Sequence, residues 1–255
     1  LSTIPADERG VQRLIVKEEG ILAGVEIARK VFEKFDPELK MTVYINDGAH
    51  VKPGDIAFEV EGSVRSLLQT ERVMLNIMQR MSGIATQTAK YQQRLDGLKT
   101  KVLDTRKTTP GMRMLEKEAV RIGGGCNHRI GLFDMILIKD NHVDFAGGIK
   151  QAVEAARKYC AEKGKNLKIE LEVRNEDEIR QALEAGVDRI MLDNFTPERT
   201  REAVKLINGA VEIESSGGIT LDTLRDYGEC GVDFISVGAL THSVKGLDMS
   251  FKAVK

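Results

Sequence analysis

The sequence predicts an α/β protein: an incomplete (β/α) barrel of six to seven units, preceded by a smaller α+β domain. Three observations carry that expectation. From about Lys101 onward, short apolar runs alternate with helix-periodic stretches, the pattern of repeated βα units around a parallel sheet. At least six such units follow in series, which favours a closed or nearly closed barrel over an open sheet. A doubly wound dinucleotide fold would carry G-x-G-x-x-G after a first strand, and none is present. Before Lys101 the pattern differs: strand-like runs are split by Gly and Pro, and one long helical stretch follows.

Taken in order, "RLIVKEEGILAGVEIARKVF" and "MTVYINDGAHVKPGDIAFEVEGSV" supply the strands and first helix of the amino-terminal domain, with "KPGD" as a turn between strands. Residues 66–95 place Leu67, Met74, Met78, Met81, Ala85 and Tyr91 at helical spacing, and Ser82-Gly83 is expected to bend or break that helix. "KVLDTRK", "MILIKDN", "KIELEVR", "RIMLDNF", "VEIESSGG" and "FISVGAL" are the barrel strands. The helices between them, such as "NEDEIRQALEAGVD", carry a Gly near their ends. "LDMSFKAV" alternates Leu247, Met249 and Phe251 with polar residues, as a last strand would. The expected division is an α/β sandwich domain over 1–98, the barrel over 99–245, and a terminal strand over 246–255 returning to the first domain's sheet.

Composition bounds the function. With 255 residues, 42% of them hydrophobic, the chain can bury a substantial core. Its 38 basic and 39 acidic residues give a net charge of -1, so no global field favours nucleic acid. No apolar run approaches a bilayer span and no signal segment opens the chain, so a cytoplasmic location without a membrane partner is expected. Cys126, Cys160 and Cys230 lie far apart without a C-x-x-C pair, which argues against disulfides or a zinc cage. The chain starts at Leu1 rather than Met, so the natural amino terminus is expected to be missing.

The chemistry gathers at the strand ends, which in a βα barrel meet at one mouth. In order they offer Arg106 and Lys107, then Lys139, Asp140 and Asn141, Glu172 and Arg174, Asp193 and Asn194, Ser215 and Ser216, and Gly238. Any one of these alone reads as a solvated loop residue; all six ends together do not. "SSGGI" and "SVGAL" place small residues where backbone N–H groups can close on a phosphate. Arg106, Lys107 and Lys139, with Arg121, His128 and Arg129 from "RIGGGCNHRIGLFD", form a cationic pole suited to several carboxylates and a diphosphate. Glu172 and Asp193 can hold Mg²⁺ or ribose hydroxyls. A lysine at a strand end would also suit a Schiff-base aldolase, which would not need the arginines.

"DTRKTTPGMRMLEKEAVRIGGGCNHRIGLFDMILIKDNH" closely resembles the signature of the quinolinate phosphoribosyltransferase family, and "ERVMLNIMQRMSGIAT", "LDNF", "ESSGGITLDTL" and "SVGALTHS" extend the resemblance over nearly the whole chain. It implies a transferase that makes nicotinate mononucleotide, pyrophosphate and CO₂ from quinolinate and phosphoribosyl pyrophosphate, with Mg²⁺, in NAD biosynthesis. It implies a homodimer with a shared active site, or a larger homo-oligomer. By motif, Arg106, His128, Arg129 and Lys139 would bind quinolinate, with Arg72 reaching in from the neighbouring subunit. Lys107 and Lys139 would lie near the pyrophosphate, and Glu172 and Asp193 would serve the ribose hydroxyls and metal. Ser216, Gly217, Gly218, Val237, Gly238 and Ala239 would hold the 5′-phosphate. Lys107, Lys139, Glu172 and Asp193 are the expected catalytic set. Family members usually carry further residues before "STIP", the one departure from the pattern.

Overall fold

The computed structural model describes residues 2–254. The chain runs through β1 (Arg9–Val16), β2 (Gly20–Ile21), α1 (Val25–Phe35), β3 (Lys40–Val43), β4 (His50–Val51), β5 (Ile56–Ser63) and the long α2 (Val64–Arg94). It continues through β6 (Lys101–Leu103), α3 (Arg113–Ile122), β7 (Ile136–Ile138), α4 (Asp140–Ala146), α5 (Ile149–Glu162), β8 (Ile169–Val173), α6 (Glu176–Ala185) and β9 (Arg189–Asp193). Then follow α7 (Pro197–Ile207), β10 (Glu212–Ser216), α8 (Leu224–Gly228), β11 (Phe234–Ser236), α9 (Ala239–His242) and β12 (Met249–Ala253). Contacts divide the chain into two compact units, one of Leu1–Lys90, Thr108–Gly124 and Ala239–Lys255, the other of Tyr91–Lys107 and Gly125–Gly238. Thr108–Gly124, inside the range expected for the barrel, therefore groups with the amino-terminal residues.

The first unit is built on an antiparallel sheet ordered β12-β1-β5-β3. Alternation along β1 buries Leu14 and Val16 and turns Arg13 toward Glu59 on β5. Helix α1 presents Val25, Ala28 and Phe32 on one face, and Phe32 meets Phe58 and Phe251 at ring-centroid distances of 6.2 and 6.0 Å. The "KPGD" turn closes through Asp55, whose carboxylate accepts Lys52 N–H at 2.9 Å, with Gly54 at φ 96°. The tail alternation appears as β12, antiparallel to β1, with Met249 and Phe251 buried.

The break expected at Ser82-Gly83 does not occur: α2 runs unbroken for 31 residues. Both residues serve contacts instead. Ser82 Oγ accepts Ala23 N–H at 2.9 Å and donates to Ala23 C=O at 3.1 Å. Gly83 leaves room for the Lys245 carbonyl, which a Cβ would overlap. One turn earlier, Arg80 Nε and Nη2 grip the fully buried Glu116 of α3 at 3.0 and 2.9 Å.

The second unit holds six parallel strands ordered β6-β11-β10-β9-β8-β7, open between β6 and β7. It is the incomplete barrel that the repeated βα pattern anticipates, and each expected strand run contains a strand. The helices are punctuated by their sequence: Asn175 Oδ1 caps α6 by accepting Glu178 N–H at 3.0 Å, Gly186 ends it at φ 72°, and Thr196 with Pro197 opens α7. Period-two alternation sorts the strand faces. Ile169, Leu171 and Val173 share one face of β8 while Glu170 and Glu172 share the other. On β9 and β10, Arg189, Met191 and Asp193, and Glu212, Glu214 and Ser216, follow the same rule.

Candidate active site

Parallel register brings the polar ends together: Asp193 pairs with Ser216, and Leu103 with Ser236. Arg106 and Lys107 follow β6 and are exposed. The threonines around them shape the turn that leads to α3, whose N-cap is Met112. Lys107 N–H donates to Thr105 Oγ1 at 3.0 Å, Thr108 Oγ1 accepts Arg113 Nε–H at 3.1 Å, and Thr109 N–H donates to Glu116 at 3.1 Å.

Lys139 ends β7 and begins α4; its backbone N–H donates to His142 Nδ1 at 2.9 Å. Its Nζ lies 3.5 Å from Glu172 Oε2, whose side chain is 10% exposed. Burial, and then the charge of Asp193, raise the Glu172 carboxyl above the usual range, while Lys139 opposes them. Asp193 Oδ2 accepts a hydrogen bond from Asn194 Nδ2 at 2.7 Å. Two carboxylates that repel across one space fit a hard divalent cation or a pair of sugar hydroxyls.

Asp104, fully buried at the end of β6, fixes the next piece by accepting His128 N–H on Oδ1 at 2.9 Å. His128 and Arg129 are thereby buried, at 8% and 9% exposure. Burial and the charge of Arg106 push the Arg129 guanidinium below its ordinary value. Two neighbouring guanidiniums, one of them buried, make a receptor for a compact dianion. Asp134 holds the loop after them, accepting Ile130 and Gly131 N–H groups at 2.7 and 2.8 Å.

Beyond β10, Gly217 and Gly218 take φ of 103° and 62°, and a Cβ on Gly217 would overlap Asn194 Oδ1. A side chain at Gly218 would meet nothing within 4 Å, so the turn opens backbone toward a ligand. Val237 is buried and donates its N–H to Leu103 C=O at 2.9 Å, which sets Gly238 beside the end of β6. Ala239 follows Gly238 directly and begins α9. Arg72, exposed on α2, belongs to the other unit, where its Nη2 lies 3.9 Å from Glu71 Oε1.

Models of the quinolinate phosphoribosyl transferase amino-terminal and carboxyl-terminal domains match residues 1–82 and 84–252. The chain belongs to the quinolinate phosphoribosyltransferase family. It is 44% identical to a chloroplastic nicotinate-nucleotide pyrophosphorylase [carboxylating] of Oryza sativa subsp. japonica, over 99% of this chain and 71% of that protein. A mitochondrial quinolinate phosphoribosyltransferase [decarboxylating] of Nicotiana glauca is 43% identical, over 98% of this chain and 75% of its own. The crystal structure of NadC from Streptococcus pyogenes superposes with a TM-score of 0.94 at 41% identity, covering all (100%) of this chain and 90% of that one.

The quinolinate phosphoribosyltransferase signature names strand ends, and reading those ends misses what lies beneath them. Glu170 and Glu214 are both wholly buried, at 0% exposure. Arg189 Nη1 reaches Glu214 at 3.4 Å and its Nη2 reaches Glu212 at 2.9 Å, with the guanidinium 4.3 Å over the Phe234 ring. His128 Nε2 lies 2.9 Å from Glu170 Oε2 and 3.5 Å from Glu214 Oε2, while Nδ1 accepts Arg129 N–H at 2.7 Å. Both ring nitrogens thus meet protein groups, although His128 is expected to donate to the substrate. The signal for these residues is in the strands: "IELEV" and "EIESS" alternate charge with apolar or small residues, which puts acids on a buried face.

Proposed function

We propose that this chain transfers the phosphoribosyl group of phosphoribosyl pyrophosphate to quinolinate with loss of CO₂, giving nicotinate mononucleotide and pyrophosphate for NAD biosynthesis. One observation carries the reading. The same unit sets two like-charged pairs, Arg106 with Arg129 and Glu172 with Asp193, and each is relieved by a ligand of opposite charge. A pyridine dicarboxylate suits the first, and a ribose with an accompanying cation suits the second.

Leaving of pyrophosphate makes C1 of the ribose cationic, so positioning and electrostatics dominate the step. Lys107 and Lys139 would stabilise the departing charge. Mg²⁺, held by Glu172 and Asp193, would supply further positive charge for the diphosphate. The backbone of Ser216, Gly217, Gly218, Val237, Gly238 and Ala239 would hold the 5′-phosphate. Arg106, His128, Arg129 and Lys139 would orient quinolinate so that its ring nitrogen faces C1. The pyridinium then accepts the electrons released with CO₂, and no dedicated base is needed.

Arg72 would act in the site of a second copy. In support, Arg72 is exposed on α2, and nearby Leu68 and Val73 are 43% and 54% exposed, apolar side chains that a homodimer or a larger homo-oligomer would cover. Among the described residues no helix is long and apolar enough to cross a membrane, and Cys126, Cys160 and Cys230 are thiols rather than disulfides. Both features fit a cytoplasmic enzyme.

The deciding experiment supplies both substrates with Mg²⁺ and measures pyrophosphate and CO₂ together. Equal release of the two is expected, with no CO₂ when nicotinate replaces quinolinate. Failure to release either from quinolinate overturns the reading.

A further inference from the structure

We propose that Glu170 and Glu214 form a buried carboxyl pair that positions His128 and, through it, Arg129 for the carboxylates of quinolinate. The proposal rests on the reading of Arg106 and Arg129 as the quinolinate receptor, and adds two residues that the family signature leaves without a role.

The geometry runs as a chain of contacts from the sheet to the arginine. Glu170 on β8 and Glu214 on β10 project from the same face as Glu172 and Ser216, two residues below them on their strands. Arg129 N–H points at His128 Nδ1, so that nitrogen is an acceptor and the ring proton sits on Nε2. Nε2 lies 2.9 Å from Glu170 Oε2, an ion-pair distance. One carboxylate thereby selects the tautomer of His128, and the tautomer in turn holds the Arg129 backbone.

Glu214 makes Glu170 able to do this. Two carboxylates this deep cannot both ionise at low cost. Burial raises both carboxyls, and with the Glu170 charge it pushes Glu214 up to about 8, so the pair holds a proton near neutrality. Glu214 Oε1 and both Glu170 oxygens are buried without a donor, which a proton shared between the two carboxyls would satisfy. Arg189, which also pairs with Glu212, supplies the balancing cation from below. The ligand atoms of His128, Glu170 and Glu214 lie within 4.8 Å of one another, a spacing that a divalent ion could bridge. A shared proton bridges the carboxyls equally well, and Arg189 already provides the positive charge a metal would bring.

The test uses the full chain with Glu170→Leu, Glu214→Leu and Glu214→Gln. Glu170→Leu and Glu214→Leu should raise the KM for quinolinate about tenfold or more, as loss of an orienting partner does, while the KM for phosphoribosyl pyrophosphate stays within about twofold of the wild type. Glu214→Gln, which keeps a donor for Glu170, should restore most of the loss seen with Glu214→Leu. A rise shared equally by both substrates, or no rise at all, overturns the proposal. A long-range ¹H–¹⁵N spectrum of ¹⁵N-histidine protein supplies a readout independent of turnover and of the leucine variants folding. His128 should show Nε2 protonated and Nδ1 unprotonated in the wild type and in Glu214→Gln, and the opposite tautomer overturns the proposal even if the enzyme is inactive. A stoichiometric divalent metal that survives chelator dialysis of the wild type and is lost from Glu214→Gln would overturn it in favour of a metal centre. Absence of turnover with quinolinate in the wild type would instead strike the functional reading, leaving the tautomer to decide the network.

Discussion

Lys139 Nζ lies 3.5 Å from Glu172 Oε2, so the ends of β7 and β8 are tied by an ion pair inside the proposed reaction space. The lysine is half exposed and the glutamate nearly buried, which leaves the cation able to turn toward a ligand. Replacing either side chain removes one preorganised charge from the transition state, and Lys139→Ala or Glu172→Ala should each lower kcat about 10²-fold or more. Steady-state turnover with saturating substrates checks this, and near-normal kcat in either variant refutes the assignment.

The shared-site reading predicts complementation. Subunits carrying Arg72→Ala, mixed with subunits carrying Lys139→Ala, should regain part of the activity, because a hybrid assembly contains one site with neither lesion. Mass spectrometry of the mixture verifies exchange, and inactive mixtures with proven exchange would show that Arg72 does not act across subunits.

Glu214 makes stability depend on pH in an unusual direction for an acid. Its reference value is 4.5 and burial raises it to about 8, so the native state holds the proton more tightly than the unfolded chain. Its contribution is therefore full below about 4.5, declines as pH rises toward about 8, and is level above that. Glu214→Gln removes the titration. In urea unfolding, the variant should gain on the wild type as pH rises through that window, and a constant difference would show that Glu214 is ionised throughout.

Gly217 sits at φ 103° against Asn194, where a Cβ has no room. Gly217→Ala should cost about 1–3 kcal/mol of stability through backbone strain and raise the KM for phosphoribosyl pyrophosphate. Gly218→Ala meets no neighbouring atom within 4 Å and should cost less stability. Equal melting temperatures for the wild type and Gly217→Ala would contradict the strain argument.

The barrel strands were legible because each is a short apolar run that stops at a polar residue, and that rule also exposed Arg106, Lys139, Glu172, Asp193 and Ser216. What the rule cannot see is depth. Glu170 has the same residue type and strand as Glu172, yet two residues separate a mouth from an interior, and only the partner strands decide which is which. The Arg80–Glu116 pair was illegible because nothing in either helix marks a partner 36 residues away. Gly83 was misread because a glycine that breaks a helix and one that admits a neighbouring backbone look alike in sequence. The amphipathic Arg113–Ile122 helix likewise advertises a buried face without saying which core will bury it.

The β12–β1 pairing has a consequence for synthesis. Phe251 and Met249 stand in register with Leu14 and Val16, which leave the ribosome more than two hundred residues earlier. The first unit is made of three separated segments, and the second is encoded entirely before the last of them. The emerging chain must therefore carry β1 with one edge bare until β12 arrives, a state open to pairing with other chains. Removing the last strand would keep the nascent condition permanently, and the expected product is a chain that aggregates despite an intact barrel sequence.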